Sequence, residues 1–203
     1  MIRVFMIDDH PLMRTGMRWV LEEAGDIEVV GEAANGRDAL ALIPTFAIDL
    51  VVCDFDLPDT DGLDLTRRLL RQDPERKVLI VSMLERSPIP RRLLAAGALG
   101  YVSKTSDPLV VLRAVREVAG GRRFLDNALA CQVLFDSSPF DQLSPRELEV
   151  AMLMVKGESI RRIADSLRVT ESTVRTIRSR VFDKLDVRGD ASLVYLAVEH
   201  GLA

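Results

Sequence analysis

The chain has 203 residues, 48% hydrophobic and 29% charged, which is a globular composition and a length for one or two domains. No run approaches the roughly 18 consecutive apolar residues of a membrane span, and the start, Met1-Ile2-Arg3-Val4-Phe5-Met6-Ile7-Asp8-Asp9, has no signal-peptide pattern. A cytoplasmic protein with no membrane partner is expected. The net charge of -4 is unevenly spread: residues 1–136 hold 17 basic and 21 acidic side chains, residues 137–203 hold 10 of each, and Arg161–Arg188 holds 8 basic against 4 acidic. A polyanionic partner would therefore meet the second half. Cys53, Cys131 and the 2 histidines have no zinc-ligand spacing.

The first 120 residues alternate short apolar runs with amphipathic stretches. Strands are expected over Arg3–Ile7, Glu28–Ala33, Leu50–Cys53, Lys77–Val81 and Gly100–Val102, all rich in Val, Ile and Leu as buried parallel strands are. Helices are expected over Pro11–Ala24, Arg37–Thr45, Leu63–Gln72, Ile89–Ala96 and Pro108–Ala119. Five βα units imply a doubly wound, five-stranded parallel sheet covered by helices on both faces. Gly120-Gly121 ends the fifth helix, Asn127–Phe135 reads as a short helix, and Asp136–Asp141 reads as linker. The rest is purely helical. Pro145–Lys156 begins with a capping box, Ser144 to Glu147, and Ser159–Leu167, Glu171–Leu185 and Ala191–His200 follow it. The expected division is residues 1–121, a connecting segment 122–142, and an all-α domain 143–203.

In an open parallel sheet, ligands bind at the carboxyl ends of the strands. The first strand ends in Asp8-Asp9, the third in Asp54 and the fourth in Ser82, while Lys104 follows the fifth. Three gathered carboxylates repel one another unless a cation neutralises them, and oxygen-only ligation suits Mg²⁺. A lysine and a hydroxyl across the pocket can hold the oxygens of a transferred phosphoryl group. Taken singly, Asp8 or Asp9 reads equally as a helix cap, Asp54 as a loop start and Lys104 as a surface lysine. Their joint placement is what points to chemistry.

Residues 1–120 resemble the receiver domain of bacterial response regulators, which has a flavodoxin-like fold. The resemblance rests on Val51-Val52-Cys53-Asp54-Phe55-Asp56-Leu57-Pro58-Asp59-Thr60-Asp61-Gly62, with Asp8-Asp9, Ser82, Tyr101 and Lys104 in matching order. It implies that Asp54 takes a phosphoryl group from a sensor histidine kinase. It implies Mg²⁺ held by Asp9, Asp54 and the backbone of Asp56, with Asp8 assisting. Ser82 and Lys104 would contact the phosphoryl oxygens, and Tyr101 would turn inward as Ser82 moves. Two departures stand out. Met83 sits where many receivers carry a small residue, and Asp56 adds a carboxylate beside the site. Cys53 should face the opposite side of its strand from Asp54 and pack in the core.

Ile160 to Arg175 reads as two helices joined by a tight turn, a unit that lays its second helix in the major groove of DNA. On that second helix Val174, Ile177, Val181 and Leu185 share a core face. Ser172, Arg175, Thr176, Ser179 and Asp183 face away, and Arg178, Arg180 and Lys184 flank the stripe and suit phosphate contacts. Arg175 suits guanine or phosphate. Residues 143–188 resemble the LuxR-type DNA-binding domain, through Leu143-Ser144-Pro145-Arg146-Glu147, Gly157, Ile163-Ala164, Leu167, Thr173-Val174-Arg175 and Lys184-Leu185. That resemblance implies base recognition by Arg175, Thr176 and Ser179, with Thr173 and Arg178 near the backbone. Ile160, Ile177 and Ser179 depart from residues frequent there.

The order receiver, linker, LuxR-type domain is that of the NarL/FixJ class, and Pro88-Ile89-Pro90-Arg91-Arg92-Leu93-Leu94 with Asp136–Asp141 looks closest to the Gac-type global activators. The resemblance implies a transcription factor rather than an enzyme, with double-stranded promoter DNA and a second copy of itself as partners. In the last helix, Val194 and Val198 pack either across a two-fold axis or within the small domain's core; the sequence does not choose.

Overall fold

The computed structural model describes residues 1–83, 88–126, 130 and 138–202. The chain divides into two compact units, the first holding residues 1–83 and 89–126 and the second holding residues 138–202. The expected helix Asn127–Phe135 falls almost wholly outside the described residues.

The first unit alternates strand and helix: β1 (Ile2–Ile7), α1 (Pro11–Glu23), β2 (Ile27–Ala33), α2 (Gly36–Leu42), β3 (Leu50–Asp54), α3 (Gly62–Gln72), β4 (Val78–Ser82), α4 (Ile89–Ala95), β5 (Gly100–Ser103) and α5 (Pro108–Ala119). A two-residue strand, β6 (Phe124–Leu125), follows. The sheet order is β2-β1-β3-β4-β5-β6, with every pairing parallel. This corrects the expected five strands to six. The added strand pairs Phe124 with Gly100 and Leu125 with Tyr101, so part of the expected connecting segment belongs to the sheet. Two residues carry no alternation, which is why no pattern announced it. The second helix is also shorter than expected: it stops at Leu42 and tightens into a 3-10 turn over Ile43–Thr45, where Pro44 has no N–H to continue the ladder.

Strands β3, β4 and β5 are buried at every position, as strands covered on both faces must be. Val4, Met6, Val52, Leu79, Val81 and Val102 point to one core face and meet Leu21 of α1 and Val111, Ala114, Val115 and Val118 of α5. Asn35, Asp61 and Asp107 each accept a hydrogen bond from their helix's first turn, fixing where α2, α3 and α5 begin.

The second unit holds α6 (Pro145–Val155), α7 (Ile160–Leu167), α8 (Glu171–Leu185) and α9 (Asp190–Glu199), preceded by a 3-10 turn, Pro139–Gln142. The capping box read from Ser144 and Glu147 is present. Phe140, within the residues read as linker, is fully buried. Arg168 closes α7 in the left-handed region at φ 52°, and Thr170 caps α8, so only Arg168-Val169-Thr170 separate the two helices. The core face of α8 is Val174, Ile177, Val181 and Leu185, as its wheel predicts.

Candidate functional site

The sheet order reverses direction between β1 and β3, so the carboxyl ends of these strands open the crevice that such sheets use for ligands. Register places the site residues. Ile7 pairs with Cys53, which brings Asp8 beside Asp54; Asp54 pairs with Val81, and Ser82 pairs with Ser103, the residue before Lys104. Residues up to 96 positions apart in the chain thus converge without any long-range sequence signal.

Asp8, Asp54 and Lys104 form one buried cluster, with side chains 8%, 4% and 6% exposed. Lys104 Nζ donates to Asp8 Oδ2 and to Asp54 Oδ2, each at 2.7 Å. Burial pushes the Asp54 carboxyl above its ordinary range; the Lys104 bond opposes this without cancelling it, and the Asp8 charge adds to it. Burial works against the Lys104 charge, but the two carboxylates prevail and its pKa is raised. Asp54 Oδ1 faces the backbone N–H of Asp56 at 3.4 Å. Ser82 is 1% exposed and Tyr101 is completely buried. Met83, next in the chain, is 62% exposed. Cys53 is buried, its thiol donates to the Asp54 carbonyl at 3.0 Å, and burial pushes its pKa up, so it packs rather than reacts.

The loop after Asp54 is held from two sides. Gly62 lies against it so closely that an added Cβ would sit 2.9 Å from Phe55 Cα and 3.1 Å from the Asp54 carbonyl oxygen. Asp59 accepts from Gly36 N at 2.8 Å and Arg37 N at 2.9 Å, tying the loop to the start of α2. Behind the acidic pair, Arg14 of α1 donates to the Asp8 carbonyl at 2.5 Å.

Asp8, Asp9, His10 and Asp54 offer ligand atoms that all lie within 4.8 Å of one another. Asp9 Oδ1 is buried and accepts no hydrogen bond, its near neighbour being His10 Nδ1 at 2.7 Å. The donor set fits a divalent cation. The carboxylate of Asp56 is not in this group; that residue faces the site through its backbone. Sequence reasoning missed His10, Arg14 and Asp59. Arg14 and Asp59 act on backbone atoms that no motif specifies.

On α8, the side chains of the residues expected to meet DNA differ in availability. Thr173, Arg175, Thr176, Ser179 and Arg180 are exposed. Arg175 makes one long ion pair with Glu171 at 3.4 Å. Arg178 pairs with Asp190 at 3.1 Å and lies 4.5 Å over the Phe182 ring. Lys184 is engaged most firmly: its Nζ bonds Glu147 at 2.6 Å and the Gln142 carbonyl at 3.3 Å. On α9, Leu193 and Ala197 are fully buried, while Tyr195 is 73% and Val198 59% exposed.

The comparisons agree with this geometry. Residues 4–116 match the family model of the response regulator receiver domain, and residues 141–197 match that of the bacterial regulatory proteins of the luxR family. The chain belongs to the response regulators, in the class that joins a receiver to a LuxR-type domain, and it is a transcription regulator rather than an enzyme. Within that class it is similar to two curated proteins. The response regulator UvrY of Escherichia coli K12 is 37% identical, with all of this chain and 96% of that protein covered. The response regulator GacA of Pseudomonas aeruginosa is 38% identical, with all of this chain and 98% of that protein covered. The fold is shared with RcsB of Salmonella enterica serovar Typhimurium, solved bound to a promoter in the presence of the phosphomimetic BeF3−, at a TM-score of 0.83 and 23% identity over 98% of both chains. The acidic cluster is of the kind that binds Mg²⁺ in receiver domains. Among the described residues no helix is long and apolar enough to cross a membrane.

Proposed function

We propose that Asp54 is the phosphoryl acceptor of this regulator, fed by a sensor histidine kinase, and that its modification controls DNA binding by the second unit. The observation that carries the reading is the buried bridge of Lys104 between Asp8 and Asp54 at the switch point of the sheet. An Asp54 oxygen forms the new P–O bond as the P–N bond to the donor's phosphohistidine breaks, and the imidazole leaves with the electron pair. Asp8, Asp9 and Asp54, with the backbone carbonyl of Asp56, would hold Mg²⁺, which when bound neutralises charge on the transferring group. Lys104 trades its Asp54 bond for a phosphoryl oxygen, and Ser82 takes another. Tyr101, fully buried on β5, would relay movement at Ser82 to the α4, β5 and α5 face.

In the second unit, Arg175, Thr176 and Ser179 read bases, while Thr173, Arg178 and Arg180 meet the phosphate backbone of promoter DNA. Lys184 does so only by leaving Glu147. Tyr195 and Val198 on α9 suit contact with a second copy, giving an active homodimer on paired half-sites. The working division is a receiver over 1–121, a connecting segment 122–142 and a DNA-binding domain over 143–203, acting in the cytoplasm. The test is phosphotransfer labelling of the full chain and of Asp54→Asn, followed by gel shifts with genomic fragments. The wild type should take label and bind some fragments more tightly once labelled, and the variant should do neither. Equal labelling of the two proteins would overturn the assignment.

A further inference from the structure

We propose that Arg168, in the turn between α7 and α8, is a phosphate contact of this regulator on duplex DNA, kept there against the turn's own stability. The proposal rests on the reading of the second unit as a DNA-binding domain. Just past α1, α4, α5, α6 and α9 the chain turns through Gly25, Gly97, Gly121, Gly157 and Gly201, each at positive φ. Glycine suits that place because it has no Cβ to clash in the left-handed region. Among the described residues only Arg168 and Asp186 adopt a positive φ without being glycine, each at 52°. Aspartate visits that region with some ease, whereas an arginine there is strained. The hydrogen bonds of the turn hold Arg168 in it: Val169 N donates to Ala164 O at 3.0 Å and Arg168 N to Asp165 O at 3.3 Å.

A strained residue that persists points to a task for its side chain. Arg168 is exposed, and among the described residues its guanidinium has no ion-pair partner. Charged neighbours in the same stretch are engaged: Arg162 with Glu158, Arg175 with Glu171, Arg178 with Asp190 and Lys184 with Glu147. The place of Arg168 in the fold fits a phosphate rather than a base. A helix-turn-helix lays its second helix in the groove and crosses the DNA backbone with its first. Arg168 ends the first helix and lies outside the second, two residues before Thr170, whose hydroxyl meets that of Thr173 at 2.9 Å. A long cationic side chain at that junction reaches the sugar-phosphate strand and carries no sequence information. One other role would put an arginine here, since its charge favours the carboxyl end of the α7 dipole. That role stabilises the fold, so the two roles predict opposite effects of removing the charge while keeping the turn.

The experiment measures binding of the full chain to genomic fragments selected by gel shift and to a random duplex, by fluorescence anisotropy over a range of salt, beside denaturant unfolding. Wild type is compared with Arg168→Gly, Arg168→Asn and Arg168→Lys. Glycine and asparagine both accept the left-handed turn without the charge, so a loss common to them does not come from glycine's flexibility. Both variants should be at least as stable as wild type. Both should weaken selected and random duplex alike, by about three- to tenfold at low salt, with a salt slope smaller by about one. Arg168→Lys keeps the charge and should stay within about twofold of wild type with an unchanged slope. Unchanged affinity and slope in the two neutral variants would overturn the contact. So would a loss confined to the selected fragments, which would place the residue in base reading. A loss of stability in both neutral variants would assign Arg168 to the helix dipole and overturn the proposal as well. If wild type binds neither duplex, the DNA-binding reading itself fails.

Discussion

Met83 sits one residue beyond the buried Ser82, and its side chain is 62% exposed at the mouth end of β4. We expect a flexible thioether at this position to hinder a small phosphodonor on its way to Asp54, and a docked kinase to displace it. Replacing Met83 by Ala should raise the rate of labelling from a small phosphodonor by about three- to tenfold, on the order of 1 kcal/mol off the barrier. Labelling from the kinase should change less. An unchanged small-donor rate measured by phosphate incorporation would show that access past Met83 does not limit the step. The neighbouring residues also show what a sequence discloses at this scale. Asp8, Asp54 and Lys104 were legible because each closes an apolar strand, and strand ends are where a parallel sheet gathers polar groups. His10 was not, because a histidine before a proline-led helix reads as a cap until its ring is placed. Asp56 was expected to serve through its backbone, and its backbone N–H stands 3.4 Å from Asp54 Oδ1.

Between α6 and α8 the decisive contact is Glu147 with Lys184, 2.6 Å apart. The Lys184 ammonium, and then the backbone N–H of Ser144, hold the Glu147 carboxyl down at about 2. An unfolded glutamate titrates near about 4.3, so the folded state binds the proton more weakly. The stabilisation is therefore fully present above about pH 4.3 and is lost as pH falls toward 2. Lys184 is 40% exposed, so water limits the strength of the pair. Glu147→Gln should lower stability by about 1–2 kcal/mol, part ion pair and part capping box. In denaturant unfolding, the gap between wild type and variant should be constant from pH 8 to 5 and close below 4.3; a gap that does not depend on pH would rule out the ion pair as its source. Elements with end signals were legible: the capping box of Ser144 with Glu147 is where the sequence suggested, and Ser159, Thr170 and Asp61 cap their helices too. β6 was not, because its two residues join the sheet through pairing with β5 rather than through any pattern of their own.

Over the whole chain, the acidic first half and the basic stretch Arg161–Arg188 divide the labour by charge. Binding to DNA should weaken steeply with salt, because phosphate contacts release counterions. Arg175 is exposed on α8 and pairs with Glu171 of its own helix at 3.4 Å, and under the proposed reading it adds sequence preference. Arg175→Ala should weaken binding to preferred fragments about tenfold or more and narrow their advantage over random DNA. Equal affinity for preferred and random fragments in both proteins would remove Arg175 from base reading. The two-unit plan was legible from the change in hydrophobic period. The exact division of the residues between 122 and 142 was not, since Phe124–Leu125 and Phe140 are placed by tertiary pairing and burial.

The bridge made by Lys104 has a consequence for the charge that a donor meets. Asp8, Asp9 and Asp54 sum to three negative charges, and Lys104 cancels one of them in advance. A divalent ion cancels the other two. Under the proposed phosphotransfer, a phosphorylated donor, itself anionic, would then enter a neutral crevice instead of a repelling one, and the transferred group would bring the first net negative charge that the loaded crevice holds. That excess, confined where the dielectric is low, is a pulse of electrostatic stress that the surrounding loops can relieve only by moving.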